Sequence, residues 1–145
     1  MSTPNSPSFS DQWLSVLQDS GYRLTAPRRA IVEIMASCER ALSPVELFDL
    51  GRKSQPGLGL VTVYRTLEKM EELGLVQRVH QPNGCHMYLR AARGHQHLLL
   101  CQNCGKAVLF DGDELAPLFT SVARATGYAI TEHWLQLFGL CANCQ

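Results

Sequence analysis

Apolar residues in the first half of the chain recur at helical spacing, and after about residue 75 the period shortens. Between Phe9 and Gly21, the positions Trp13, Val16 and Leu17 fall on one helical stripe, closed by a glycine suited to a C-cap. Thr25-Ala26-Pro27-Arg28 opens a second helix. Thr25 is its N-cap, and Pro27 sits in the first turn, where a missing N–H costs nothing. Ala30, Ile31, Ile34 and Met35 carry the apolar face to about Ser37. Ser43-Pro44-Val45-Glu46 starts a third helix with the pattern of a capping box. Its apolar positions are Val45, Leu47, Phe48 and Leu50. Gly57-Leu58-Gly59 then breaks the chain, and Thr62 opens a fourth helix with Val63, Leu67 and Met70 inward, ending at Leu73-Gly74.

From there the pattern is strand-like. Leu75–Val79 and His86–Leu89 flank Gln81-Pro82-Asn83-Gly84, and Asn-Gly between two such runs is a strong hairpin signal. Helices closed by a two-stranded ribbon describe a winged helix-turn-helix. The small residues at 91–94 predict a hinge. Beyond it, Leu98–Leu100, Ala107–Phe110 and Leu135–Phe138 read as short strands, and Leu115–Gly127 as one helix. The expected class is α+β: an N-terminal winged-helix domain over 11–90, then a small α/β domain over 95–145. Residues 1–10, rich in Ser and Pro, predict a disordered tail without the basic and apolar regions of a signal peptide.

Composition changes this picture little. The chain has 145 residues, 46% of them hydrophobic and 18% charged, enough apolar content for a packed core. No apolar run reaches the ~18 residues of a membrane span, which points to a cytoplasmic protein with no membrane partner. Net charge is zero. Ten of the thirteen Lys and Arg lie before residue 91, against nine of the thirteen acids, so that part carries only about +1. Charge alone therefore selects no partner, and placement has to.

Cysteine placement is far more informative. Four of six cysteines form two Cys-x-x-Cys pairs, Cys101/Cys104 and Cys141/Cys144. Each spacing makes a tight knuckle that aims two thiolates at one ion, and two knuckles make a closed four-sulfur tetrahedral site, the geometry of structural zinc. One knuckle follows the first expected strand of the second domain and the other follows its last, so zinc would pin those strands together.

The fourth helix carries a different chemistry. Thr62, Tyr64, Arg65 and Lys69 place polar groups where a recognition helix meets the major groove. Arg65 suits bidentate pairing with guanine, and Tyr64 suits a phosphate or a thymine methyl. Arg28 and Arg29, at the start of the second helix, suit phosphate contacts.

Three stretches carry a family resemblance: Leu24-Thr25-Ala26-Pro27-Arg28, Val61-Thr62-Val63-Tyr64-Arg65-Thr66-Leu67-Glu68 and His95-Gln96-His97 through Cys101-Gln102-Asn103-Cys104-Gly105-Lys106. They resemble the signatures of the ferric uptake regulator (Fur) family, in order, from about Trp13 to Cys144. The resemblance implies a homodimeric, metal-dependent transcription factor with a winged-helix DNA-binding domain, a dimerisation domain and a structural four-cysteine zinc. It implies double-stranded operator DNA as the partner, no small-molecule substrate, and a regulatory metal that closes the dimer onto DNA.

Family members differ in the metal sensed. Here the remaining ligand-type residues include His80, Cys85, His86, His95, His97, Asp113, Glu114 and His133. His95 and His97 alternate in an extended segment and share a face. His80 and Cys85 flank the turn; Cys85 and His86 point oppositely, and Cys85 is favoured as the ligand. His80, Cys85, His95 and His97 thus form the expected sensor set, with Asp113, Glu114 and His133 as a possible further site. A mixed Cys/His set suits zinc over iron or manganese, which tilts the reading to the zinc uptake regulator branch; an iron-, manganese- or peroxide-responsive regulator is the alternative. The chain also departs from the family's usual iron ligands: Arg40-Ala41-Leu42 replaces a common histidine, and Leu89 and Leu109 stand where carboxylates are usual. An enzyme is excluded on chemistry. A closed four-sulfur set has no open position for catalysis, and no His-Glu-x-x-His occurs.

Overall fold

The computed structural model describes residues 8–91, 96–111 and 113–145, with Asp113 described in its backbone only. The chain divides into two compact units, Met1–Ala91 and Ala92–Gln145. The expected hinge at 91–94 lies outside the described residues apart from Ala91.

Four helices build the first unit: α1 (Phe9–Asp19), α2 (Ala26–Ser37), α3 (Pro44–Arg52) and α4 (Leu60–Glu72). Three start on side-chain caps. Thr25 accepts from the Arg28 amide, and Ser43 and Glu46 form the expected reciprocal capping box. Ser8 and Asp11 form a further box at α1, so this helix begins inside the stretch expected as tail. The inward face of α1 is Trp13, Leu14 and Leu17, while Val16 is exposed. Helix α4 begins two residues before Thr62, on Gly59, and has no side-chain cap. Val63, Leu67 and Met70 are buried as expected, and Thr66 joins them.

These faces close one apolar cluster, with Leu17, Ile31, Met35, Leu47, Leu67 and Met70 fully buried at its centre. The wing follows: β1 (Val76–His80) pairs antiparallel with β2 (His86–Arg90), Val76 opposite Arg90 and His80 opposite His86. The connecting turn is tight. The Gly84 amide bonds the Gln81 carbonyl at 2.9 Å, and Gly84 sits at φ 85°, a value that glycine adopts without strain. Leu42 adds a two-bond bridge to Tyr88, each amide donating to the other's carbonyl at 2.8 Å. That bridge ties the wing to the loop between α2 and α3.

The second unit has a three-stranded sheet in the order β4–β3–β5, from β3 (Gln96–Cys101), β4 (Ala107–Asp111) and β5 (Gln136–Gly139). Strand β3 is central, antiparallel to β4 and parallel to β5. Between β4 and β5 lie a short 3-10 turn (Asp113–Leu115) and α5 (Ala116–Thr126), which ends on Gly127 in the left-handed region. Only β3 is well buried, through His97, Leu98, Leu100 and Cys101. Helix α5 buries no residue. Among the described residues no helix is long and apolar enough to cross a membrane.

Candidate metal centre and nucleic-acid interface

The parallel pairing of β3 with β5 brings the two knuckles together, because each knuckle follows one of these neighbouring strands. Leu100 pairs with Phe138 and Cys101 with Gly139, so the chain turns into both Cys-x-x-Cys segments at one end of the sheet. The sulfurs of Cys101, Cys104, Cys141 and Cys144 all lie within 4.8 Å of one another. Cys104 Sγ and Cys141 Sγ are 3.7 Å apart. A tetrahedron with zinc–sulfur bonds of about 2.3 Å has an edge of about 3.8 Å, so the four sulfurs suit such an ion.

The backbone supplies the charge control. The Cys141 amide donates to Cys101 Sγ at 3.4 Å. Amide hydrogen bonds from Cys104 and Cys141 favour the thiolate, and they pull the Cys101 thiol down to about 6. Cys144 behaves oppositely. The Asn103 side chain favours its thiolate, but the neighbouring sulfurs of Cys141, Cys101 and Cys104, together with burial, outweigh that and push it up to about 11. Backbone amides thus favour the thiolate form at Cys101, and crowding of the sulfurs favours the thiol form at Cys144.

Beyond the knuckles, the second unit gathers a histidine pair. His97 is 6% exposed, and its Nε2 is buried without a hydrogen-bond partner. Its ring lies 5.1 Å from that of His133, which is itself 4.4 Å from Phe119 of α5; Phe110 flanks His97 at 5.7 Å. A buried ring nitrogen without a partner is a costly arrangement unless something binds it. The sequence reading left open which site His97 serves; the fold places it beside His133. His95, and the Asp113 side chain, lie outside the described residues, while Glu114 is exposed on the 3-10 turn.

In the first unit, His80 faces His86 directly, with ring centroids 4.4 Å apart and planes nearly perpendicular. Cys85, preferred above as the partner of His80, instead takes the place opposite Gln81, whose amide donates to its carbonyl, and is exposed. Strand alternation therefore gives His86 the face of His80 and gives Cys85 the other face. Proximity to the turn pointed to Cys85, whereas the register sets His86 across from His80.

The α4 face carries the DNA candidates. Tyr64 is 44% exposed and Arg65 is exposed as well, while Thr62 and Lys69 are half-buried. Lys69 lies 3.5 Å from Glu72. Behind them, the Thr66 hydroxyl donates to the Thr62 carbonyl at 2.7 Å, and Tyr22 reaches Thr66 Oγ1 at 3.4 Å, which fixes α4 against the segment before α2. Arg28 is partly committed: it stacks over Tyr22 at 4.6 Å and donates to the Arg23 carbonyl at 2.7 Å. Arg29 is exposed and enters no ion pair among the described residues. Sequence reasoning missed Tyr22, for which no local signal exists, and the uncapped start of α4, which Gly59 did signal.

This arrangement matches known proteins closely. The family model described as the ferric uptake regulator family matches residues 19–138. The ferric uptake regulation protein of Neisseria meningitidis is 30% identical over 133 residues, covering 91% of this chain and 92% of that protein. The zinc uptake regulation protein of Mycobacterium tuberculosis is 33% identical over 126 residues, covering 87% and 97%. Among solved structures, the Vibrio cholerae ferric uptake regulator, described with rearranged DNA-binding domains, aligns with a TM-score of 0.69 at 29% identity, covering 88% of this chain and 98% of that one. The chain belongs to the ferric uptake regulator family of metal-responsive transcription regulators.

Proposed function

We propose that this regulator responds to zinc, and that its dimer binds operator DNA to repress zinc-uptake genes when a regulatory site is filled. The observation that carries this reading is the buried His97 with an unpartnered Nε2 beside His133. Among the described residues, no group of three or more Asp, Glu, His or Cys side chains outside the four cysteines is close enough to form a metal site. A donor set centred on imidazole suits zinc better than manganese. The 33% identity to a zinc uptake regulation protein supports the same choice.

In this reading Cys101, Cys104, Cys141 and Cys144 hold a structural zinc, and His97 and His133 hold the regulatory ion. His95, two residues before His97, and Asp113 and Glu114, which follow β4, are further candidate donors. Zinc, when bound, supplies a Lewis-acidic cross-link between side chains. The chain's own part is to keep β3 and the segment before β5 in register, so that both imidazoles meet one point. Only tighter zinc binding by the DNA-competent dimer than by other states can drive repression. Tyr64, Arg65 and Thr62 then meet the major groove, and Arg28, Arg29 and Lys69 meet phosphate. The partner copy covers the apolar surface of the second unit, where Leu118, Tyr128, Trp134 and Leu140 are all more than half exposed.

An iron response is the second reading, supported by the 30% identity to a ferric uptake regulation protein. The deciding experiment measures operator affinity of wild type and His97→Ala under zinc, iron or manganese. Zinc should tighten wild-type binding by roughly 5- to 150-fold, and the substitution should abolish that gain. An equal zinc response in both proteins would remove His97 from the sensor. A response to iron alone would replace zinc as the signal.

A further inference from the structure

The wing carries a histidine pair, His80 and His86, that the proposed His97–His133 sensor does not use. His80 and His86 are cross-strand partners at the last rung of the β1–β2 ribbon. The next rung outward, Gln81 with Cys85, is closed by the Gln81 amide donating to the Cys85 carbonyl at 2.9 Å. Hydrogen-bonded and non-bonded rungs alternate in an antiparallel pair, so His80 and His86 occupy the non-bonded kind, where facing side chains stand closest. Their ring centroids are 4.4 Å apart.

The rung is also held rigidly. Pro82 fixes the turn's entry, the Gly84 amide closes it onto the Gln81 carbonyl, and Asn83 Oδ1 accepts from the Cys85 amide at 3.0 Å. Below the pair, on the same face, Arg78 stands opposite Tyr88, with its guanidinium 5.6 Å from the ring centroid. Glu71 pairs with that guanidinium at 2.9 Å, so the nearest cation on this face is neutralised and does not repel another. Both imidazoles are exposed, so an ion reaches them from water.

We propose that the wing has a cation site of its own, in which the imidazoles of His80 and His86 chelate one divalent ion of the zinc, copper and nickel group. Two nitrogens on one zinc ion sit at most about 4 Å apart, twice the zinc–nitrogen bond. Rings facing at 4.4 Å meet that limit after small side-chain rotations. Imidazole is the donor these ions share, and water completes the shell. Cys85, on the other face of the ribbon, takes no part. The site lies wholly within the first unit and stands independently of His97 and His133. A filled site adds positive charge to a wing flanking the recognition helix, which strengthens phosphate attraction.

The test is zinc titration calorimetry on the full chain, first equilibrated with limiting zinc so that tight sites are filled. Wild type should show a weaker additional step of one ion per chain. His80→Gln and His86→Gln should each weaken that step at least about tenfold, because losing a direct ligand costs at least as much as losing its supporting partner. Cys85→Ser and His97→Ala should retain it, and the His97→Ala result separates this site from the sensor. All the wing positions changed are exposed, and circular dichroism checks that the fold is kept. A step absent in wild type, unchanged in His86→Gln, or lost in Cys85→Ser or His97→Ala would overturn the proposal.

Discussion

At the scale of single residues, function separates by which charges are already committed. Arg78 is paired with Glu71 and Arg28 is held by Tyr22 and the Arg23 carbonyl, whereas Arg65 and Arg29 are exposed and enter no ion pair among the described residues. The two free arginines should therefore respond differently to truncation. Arg65→Ala should cost about 1–3 kcal/mol of operator binding and relax base preference, as expected for a residue that reads base edges. Arg29→Ala should weaken operator and scrambled DNA alike, and reduce the salt slope by about one unit. Binding isotherms at several salt concentrations distinguish the two patterns. An Arg65→Ala protein that keeps its discrimination would move readout elsewhere on α4. A single residue also set the limit of sequence reading at the wing. His80 was legible as a ligand type, and the opposite faces of Cys85 and His86 were legible too, but which of the two stands across from His80 needed the strand register.

At the scale of elements, the helices were legible because their start signals are local. Thr25 and the Ser43/Glu46 box are decided within four residues, and each stands in the structure as read. Ser43→Ala removes the Oγ that accepts from the Glu46 amide, leaves the backbone amide of residue 43 to the Glu46 carboxylate, and should cost about 1 kcal/mol. Leu47→Ala, one turn on and fully buried, should cost about 2–5 kcal/mol through the cavity it leaves. Chemical denaturation of the two variants should give that ranking; a Ser43→Ala loss as large as that of Leu47→Ala would mean the cap orders more than its own helix. The start of α1 at Phe9 was legible from the apolar stripe, but its capping box was not, because Ser8 lies in a stretch whose composition resembled a tail. Its inward face was misjudged at Val16, because a short apolar run allows two helical stripes, and only packing against α2 selects Leu14.

At the scale of the whole molecule, the two units are stabilised by different means. The first has an apolar cluster drawn from four helices and the wing. The second has one buried strand, a helix that buries nothing and an exposed apolar surface. A unit so poor in core needs a staple or a partner. Removing one thiolate should show this. On the proposed structural-zinc reading, Cys141→Ser should lose the zinc, and with it the β3–β5 pairing and the dimer, while the helical signal of the first unit remains. Zinc analysis with size-exclusion chromatography measures both effects. A dimeric Cys141→Ser protein with its full zinc content would leave the four-cysteine site without a structural role.

The sequence by itself determined what short-range chemistry determines: four helices with the caps of α2 and α3, the Asn-Gly hairpin, and two knuckles whose spacing already specified a closed sulfur site. These depend on contacts within a few residues, so the chain states them directly. Tertiary structure decided the pairings between distant segments: Leu42 with Tyr88, β3 with β5, Tyr22 with Thr66, and His97 with His133. No local pattern encodes these, because each depends on which faces must be buried once the whole chain closes. The knuckles show the division plainly. Their spacing pointed to a metal, but only the parallel pairing of β3 with β5 brought two pairs of sulfurs, forty residues apart in the chain, to one point.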